Sequence, residues 1–168
     1  IPCDKKNFYE LNLTDKEQLN KILKKEEPDF FFHFATHSAL AYRDNFLESF
    51  DEDYIALKNI LNCLDEIKDT ILIYFSSSYV YSGLSLNETV NEETILNPKH
   101  NFGFAKFFFE NMIKRITSNY IIFRLSSVFG EGNYIHPNAI ENLVKEAIFN
   151  KNISVWGTGK RRMQYIYL

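Results

Sequence analysis

The sequence predicts an α/β protein built on a parallel sheet, and three features of its pattern predict it. Short apolar runs alternate along the 168 residues with longer stretches of helical periodicity, which is the rhythm of strands joined by crossover helices. Runs such as Phe30 to Ala35 and Ile71 to Phe75 are continuous rather than alternating, as strands covered on two faces are. A hydrophobic content of 45%, with 16% aromatic residues, supplies enough apolar surface for one ordinary core.

The elements follow in order. Phe8 to Leu11 reads as a short strand, and Thr14-Asp15-Lys16-Glu17 as a capping box that starts a helix. Leu19, Ile22 and Leu23 give that helix an apolar stripe, and Pro28 ends it before the buried strand Phe30 to Ala35. Ile55, Leu57, Ile60, Leu61 and Leu64 recur at helical spacing within a predicted helix from Tyr54 to Ile67, and the strand Ile71 to Phe75 follows. A turn-rich stretch to Pro98 leads into a helix over about Phe102 to Ile116. Then come a strand at Tyr120 to Leu125, a loop with Gly130 and Gly132, a helix from Asn138 to Phe149 and a short strand Ile153 to Trp156. The chain opens without a methionine and stops inside the apolar run Tyr165 to Leu168, so it reads as one cut at both ends.

Charge and cysteine usage exclude several classes. A net charge of −3 with interleaved signs offers no basic stripe for nucleic acid. No apolar run approaches the ~18 residues of a spanning helix, and no secretory signal opens the chain, so no membrane partner is expected and a cytoplasmic location is the default. Cys3 and Cys63 stand apart from each other and from any ligand spacing, which predicts free thiols. His33 and His37 are spaced like helical metal ligands, but they sit in and just after a predicted strand that points them apart, so no metal site is expected.

Ligands of open parallel sheets bind beyond the carboxyl ends of the strands. Those positions hold Phe34, Ala35 and Thr36, then Ser77, then Ser126 and Ser127. Phe102 and Lys106, four residues apart, share one face of a helix. Ser76-Ser77-Ser78 after a strand, Val80-Tyr81, Gly83, Glu92, Pro98 and Phe102-Gly103-Phe104-Ala105-Lys106 through Glu110 resemble the Ser/Thr and Tyr-x-x-x-Lys core of the extended short-chain dehydrogenases, the NAD(P)-dependent epimerase/dehydratase family. Pro28-Asp29 with His33-Phe34-Ala35-Thr36, Arg124 to Gly130, and Trp156-Gly157-Thr158-Gly159 with Arg161 or Arg162 extend the resemblance over nearly the whole chain.

The resemblance implies a Rossmann-like, doubly wound parallel sheet lacking its first strand or strands. Residues 1–130 would form a partial NAD(P)-binding domain, and 131–168 the start of a small substrate-binding region. It implies an enzyme acting on a nucleotide sugar by hydride transfer at a sugar carbon, with NAD or NADP as cofactor. The spacing between Asp4 and Asn12, with Tyr79-Val80-Tyr81-Ser82-Gly83, resembles the dehydrorhamnose-reductase-like branch, and a sugar epimerase is the close alternative.

Carried across by position, the substrate-oxygen role falls on Ser77 and the ribose-binding, pKa-lowering role on Lys106. The general acid–base position, tyrosine in the family, holds Phe102, whose ring has no proton to give. The family's asparagine falls near Asp53, a second departure. Asp4, Asn12, Leu13, Phe34, Ala35, Thr36 and Lys106 are the implied cofactor contacts, and Ser78, Tyr79, Ser126, Ser127 and Arg162 the implied substrate contacts. The glycine-rich phosphate turn has no match, and Gly157-Thr158-Gly159-Lys160 lacks the spacing to replace it.

Three explanations of Phe102 stay open: a substitution that traps a complex, a noncatalytic relative that binds NAD(P) or a partner, or another donor among Tyr79, Tyr81, His37 and His100. The resemblance also implies a homodimer contact through the helix bearing Lys106. Without the central strand, the chain is expected to expose an apolar sheet edge and to be poorly soluble alone.

Overall fold

The computed structural model describes residues 8–67, 69–85, 87–130, 139–150, 152–155, 157–159 and 162–167. The chain divides into two compact units, Ile1–Arg124 and Leu125–Leu168. Asp4, Cys3, Gly132, Trp156 and Arg161 lie outside the described residues.

In the first unit, α1 (Lys16–Glu26) starts at Asp15, whose side chain accepts the amide of Gln18. This corrects the expected capping box. The Thr14 hydroxyl is taken by Asn12 Oδ1 at 2.9 Å, so Asp15 caps instead. Among the described residues, 8–11 are assigned to no strand, and Tyr9 is drawn off to Lys25 and Glu26. Strand β1 (Phe30–His33) is shorter than expected, and β2 runs further, Ile71–Ser77. They pair in parallel with Phe30 opposite Ile71 and His33 opposite Tyr74. β3 (Tyr120–Leu125) completes a sheet of order β1-β2-β3.

Between β1 and β2 lie α2 (Ala39–Asp44), which the sequence reading did not anticipate, and α3 (Phe46–Glu66), which begins eight residues before the expected Tyr54. Phe46 and Phe50 explain the earlier start. Their rings are 5.6 Å apart, and Phe50 stacks on Phe109 of the next helix at 5.2 Å, so the amphipathic face extends upstream. A short 3-10 helix over Ser78–Tyr81 leads toward α4 (Asn101–Ile116).

The side chains of a strand alternate between faces, and the two faces of this sheet differ. Leu72 and Tyr74 join Leu19, Leu23, Tyr42, Leu57, Ile60, Leu61, Cys63, Ala105, Phe109 and Ile113 in one core under α1 to α4. On the opposite face, Phe30, Phe32, Phe34, Ile121 and Phe123 are exposed, Phe34 at 67%. Their rings form a ladder with Phe75: Phe32 to Phe34 at 6.2 Å, Phe34 to Phe75 at 4.2 Å and Phe75 to Phe123 at 5.9 Å. The expectation of a strand at Phe30 to Ala35 buried on both faces is therefore corrected to one covered on a single face.

Cys63 is a buried free thiol. Among the described residues no helix is long and apolar enough to cross a membrane, and no cluster of His, Cys, Asp and Glu could hold a metal ion.

In the second unit, β4 (Ser127–Phe129) pairs in parallel with β5 (Tyr165–Tyr167), Ser127 opposite Tyr165. Phe129 meets the Tyr167 ring at 5.4 Å. Helix α5 (Ala139–Phe149) has Glu146 accepting the amide of Ser154. Residues 152–155 form no strand, and β5 supplies the partner of β4 instead.

Candidate active site

The carboxyl ends of β1 and β2 and the first two turns of α4 converge on Lys106. Gly103 permits this approach. A Cβ there would stand 2.4 Å from the carbonyl oxygen of Tyr79, so only a bare α-carbon lets the 3-10 helix settle against α4. Lys106 is 4% exposed, and its Nζ donates to Thr36 Oγ1 and to the Phe75 carbonyl, each at 2.9 Å. The ammonium also lies 4.9 Å from the Tyr74 ring centroid and 5.6 Å from that of Phe102. Burial lowers the Lys106 pKa to about 8, against the opposing pull of Asp53 and Glu110.

Phe102 sits one turn before Lys106, its ring 5.8 Å from Tyr42 and 5.7 Å from Tyr79 in an edge contact. Tyr79 also meets His100 edge-on at 5.6 Å. Ser77 ends β2 and caps the 3-10 helix, its Oγ accepting the Tyr79 amide at 3.3 Å. Ser77, Ser78, Tyr79, Phe102 and Lys106 thus gather where β2 ends.

A cleft of about 800 Å³ is lined by Asn12, Leu13, Thr14, Ala35, Thr36 and His37, with Glu10, Glu52 and Asp53 as its acidic residues. Thr36 belongs to both places: it lines the cleft and bonds Lys106. Asn59 secures the near wall by donating to the carbonyls of Leu13 and Thr14, both at 3.0 Å. Phe34 points away from this cleft into the aromatic ladder on Phe75. Ser126, Ser127 and Arg162 belong to the second unit, and Asp4 lies outside the described residues.

Two networks escaped the sequence reading, although several of their members were named singly; Tyr42 and Glu52 were not among them. Asp53, buried in α3, accepts the His37 amide with both oxygens at 3.1 Å, the His37 Nδ1 contact at 2.8 Å and the Tyr42 hydroxyl at 2.8 Å. His37 Nε2 faces Glu52 at 3.3 Å. Desolvation, then Asp53, drives the Tyr42 phenol well above its ordinary range.

The second network centres on Glu110, fully buried in α4. It accepts Ser76 Oγ at 2.6 Å and Arg124 Nη2 at 2.8 Å, while Arg124 Nη1 reaches the Tyr81 hydroxyl at 2.6 Å. Burial pushes the Glu110 carboxyl up, but hydrogen bonds from Arg124 and Ser76 outweigh it and hold the group below its usual range. A charged residue inside a predicted helix is the sequence signal for the Glu110 network, and Asp53, which lies outside every predicted helix, carries none.

The sequence profile of the NAD dependent epimerase/dehydratase family matches residues 2–168. A dTDP-D-glucose 4,6-dehydratase of Dictyostelium discoideum is 27% identical over 96% of this chain and 40% of its own length. A UDP-glucose 4-epimerase of Mycoplasma genitalium is 25% identical over 84% of this chain and 47% of its own. Among solved structures, the UDP-glucose 4-epimerase of Thermotoga maritima, with UDP-glucose, superposes with a TM-score of 0.82 at 19% identity, over 95% of this chain and 54% of that one. The chain spans about half the length of the proteins it matches.

Proposed function

Because the chain belongs to the NAD-dependent epimerase/dehydratase family, we propose that it forms the Lys106-bearing part of an enzyme that modifies a nucleotide sugar by hydride transfer at a sugar carbon. One observation carries the reading: the buried Lys106, tied to Thr36 and to the Phe75 carbonyl at the strand ends, with the cleft on the far side of Thr36.

The residues present fit a nicotinamide cofactor. A cleft of about 800 Å³ lies within the range of ~300–1,000 Å³ typical of ligand sites. When bound, the cofactor supplies the acceptor or donor of the transferred hydride. Asn12, Leu13, Ala35 and Thr36 would line it, and Lys106 would meet a ribose hydroxyl with the N–H that Thr36 and Phe75 leave over. Ser77, with Ser78 and Tyr79, would hold the substrate oxygen. Ser126, Ser127 and Arg162 would contribute to the sugar side, and Asp4 to the cofactor side.

Phe102 stands where the family reading calls for a proton donor. Such groups contribute ~10²–10⁴ in rate, so turnover would be slow. That same residue favours a second reading, a noncatalytic protein that keeps the cofactor or partner site. The outward rings Phe104 and Phe108 on α4 support pairing of that helix with a second copy. A cytoplasmic location belongs to this reading.

Calorimetric titration of the full-length protein with NAD, followed by UDP-glucose as probe with nicotinamide absorbance monitored, separates these readings. Binding with cofactor reduction supports the enzyme, and binding without it the noncatalytic protein. No binding of NAD refutes a cofactor site.

A further inference from the structure

The buried carboxylate of Glu110 tethers one short segment at both of its ends. Oε1 accepts Ser76 Oγ at 2.6 Å, and Ser76 is the residue before Ser77 in β2. Oε2 accepts Arg124 Nη2 at 2.8 Å, and the same guanidinium donates through Nη1 to the Tyr81 hydroxyl at 2.6 Å and to the Glu92 carbonyl at 3.2 Å. Arg124 also lies 5.2 Å from the centre of the Tyr81 ring, whose hydroxyl donates onward to the Asn91 carbonyl at 2.9 Å. Ser77, Ser78 and Tyr79 therefore lie between two tethered residues, and Glu110 stands one helical turn beyond Lys106 on α4.

We propose that Glu110 and Arg124 are positioning residues for the substrate side of the site: acting through Ser76 and Tyr81, they fix Ser77, Ser78 and Tyr79 in register with Lys106. The inference rests on the reading above, in which that segment holds the substrate oxygen and Lys106 meets the cofactor ribose.

The segment's own bonds do not fix it to the same degree. The Ser77 Oγ accepts the Tyr79 amide at 3.3 Å, within a single turn of 3-10 helix, a form whose hydrogen bonds are poorly aligned. Ser82 Oγ accepts the Lys99 amide at 3.0 Å, which ties the far end to an exposed residue that precedes α4 rather than to the helix itself. The guanidinium suits the task because its nitrogens point in fixed directions, so a bond to Tyr81 is held at a set angle to the pair made with Glu110; an ammonium on a flexible stem holds no such angle. A segment loosened by the loss of one tether has to be ordered by the incoming sugar, and that cost appears as weaker binding. The cleft given to the cofactor is lined from residues 10–18, 35–37 and 52–56 and shares none of these tethers.

The test titrates UDP-glucose and dTDP-glucose into the NAD-loaded full-length protein by calorimetry, with NAD titrated separately and stability read by chemical denaturation. Tyr81→Phe removes one tether and keeps the ring, and Ser76→Ala removes the other. Each should weaken the nucleotide sugar that the wild type binds by about three- to tenfold, with NAD affinity held within about twofold. Arg124→Lys keeps the charge and should weaken the sugar as much. Thr70→Val loses a hydrogen bond of the same kind at the opposite end of β2, from Thr70 Oγ1 to the Pro28 carbonyl at 2.7 Å, and should lose stability with no change in either affinity. Hydrogen exchange of the Ser77 to Ser82 amides should quicken in Tyr81→Phe and Ser76→Ala and slow again when the sugar is added. The inference is overturned if both variants bind the sugar within about twofold of the wild type, if NAD weakens in step with the sugar, if Thr70→Val weakens the sugar equally, or if exchange of the segment is unchanged. A wild type that binds NAD but neither sugar removes the substrate reading and the inference with it, whereas wild-type binding with indifferent variants removes the inference alone.

Discussion

Replacing Phe102 by tyrosine puts a phenol on the ring that Lys106 faces at 5.6 Å. If its oxygen stands ~4–6 Å from Nζ, the ammonium stabilises the phenoxide by about 3–4 kcal/mol at an effective dielectric of ~20. That brings a phenol from about 10 down to about 7–8, the range where a general acid or base works best near neutral pH. A donor of this kind adds ~10²–10⁴ in rate, or about 2.7–5.4 kcal/mol of barrier. Single-turnover reduction of bound NAD by UDP-glucose in the full-length protein measures it, with calorimetry to show that cofactor binding persists. Equal rates in the two proteins, with NAD bound in both, would show that position 102 does not face the reacting oxygen.

Three further outcomes follow from packing and charge. Gly103→Ala drives a Cβ to 2.4 Å from the Tyr79 carbonyl, and chemical denaturation should show a loss of up to about 2 kcal/mol, an overpacking cost of about 1–3 kcal/mol less the ~1 kcal/mol helix gain of alanine. Glu110→Ala leaves Arg124, 13% exposed, without its carboxylate, and should cost about 3–5 kcal/mol, read as a lower denaturation midpoint at unchanged slope. His33 is buried with its pKa depressed by desolvation, then by Lys106, to about 4. The unfolded chain therefore binds the extra proton first, and stability is full above about 6.5 and falls as pH drops toward 4. His33→Phe should flatten that acid limb in pH-resolved unfolding, and an identical limb in the variant would count against a neutral buried imidazole.

The helix bearing Lys106 is legible in the sequence, its expected start at Phe102 lying one residue from the observed Asn101. Its apolar positions recur at helical spacing and no glycine or proline interrupts it beyond Gly103, which packing demands. Strand β2 is legible for a similar reason, since a β-rich apolar run leaves little alternative. The start of α3 was hidden because Asp51, Glu52 and Asp53 make the segment read as a polar loop, and only tertiary contact turns Asp53 inward to receive His37 and Tyr42. Periodicity also carries no information on which side of a strand is covered, so Phe30, Phe32 and Phe34 read as core. The Glu110 and Arg124 partnership joins residues on α4 and β3, and local spacing does not encode which charged residue meets which.

The ladder of rings on the open sheet face has a practical consequence for anyone purifying this chain. Four rings from Phe30 to Phe123, with Ile121 among them, present uncharged area to solvent, and each Å² removed from water is worth roughly 25 cal/mol. Such a surface makes the polypeptide adhesive. In dilute buffer it should light up a dye such as ANS, cling to hydrophobic resin and sediment faster as concentration rises, and a mild detergent should reverse all three.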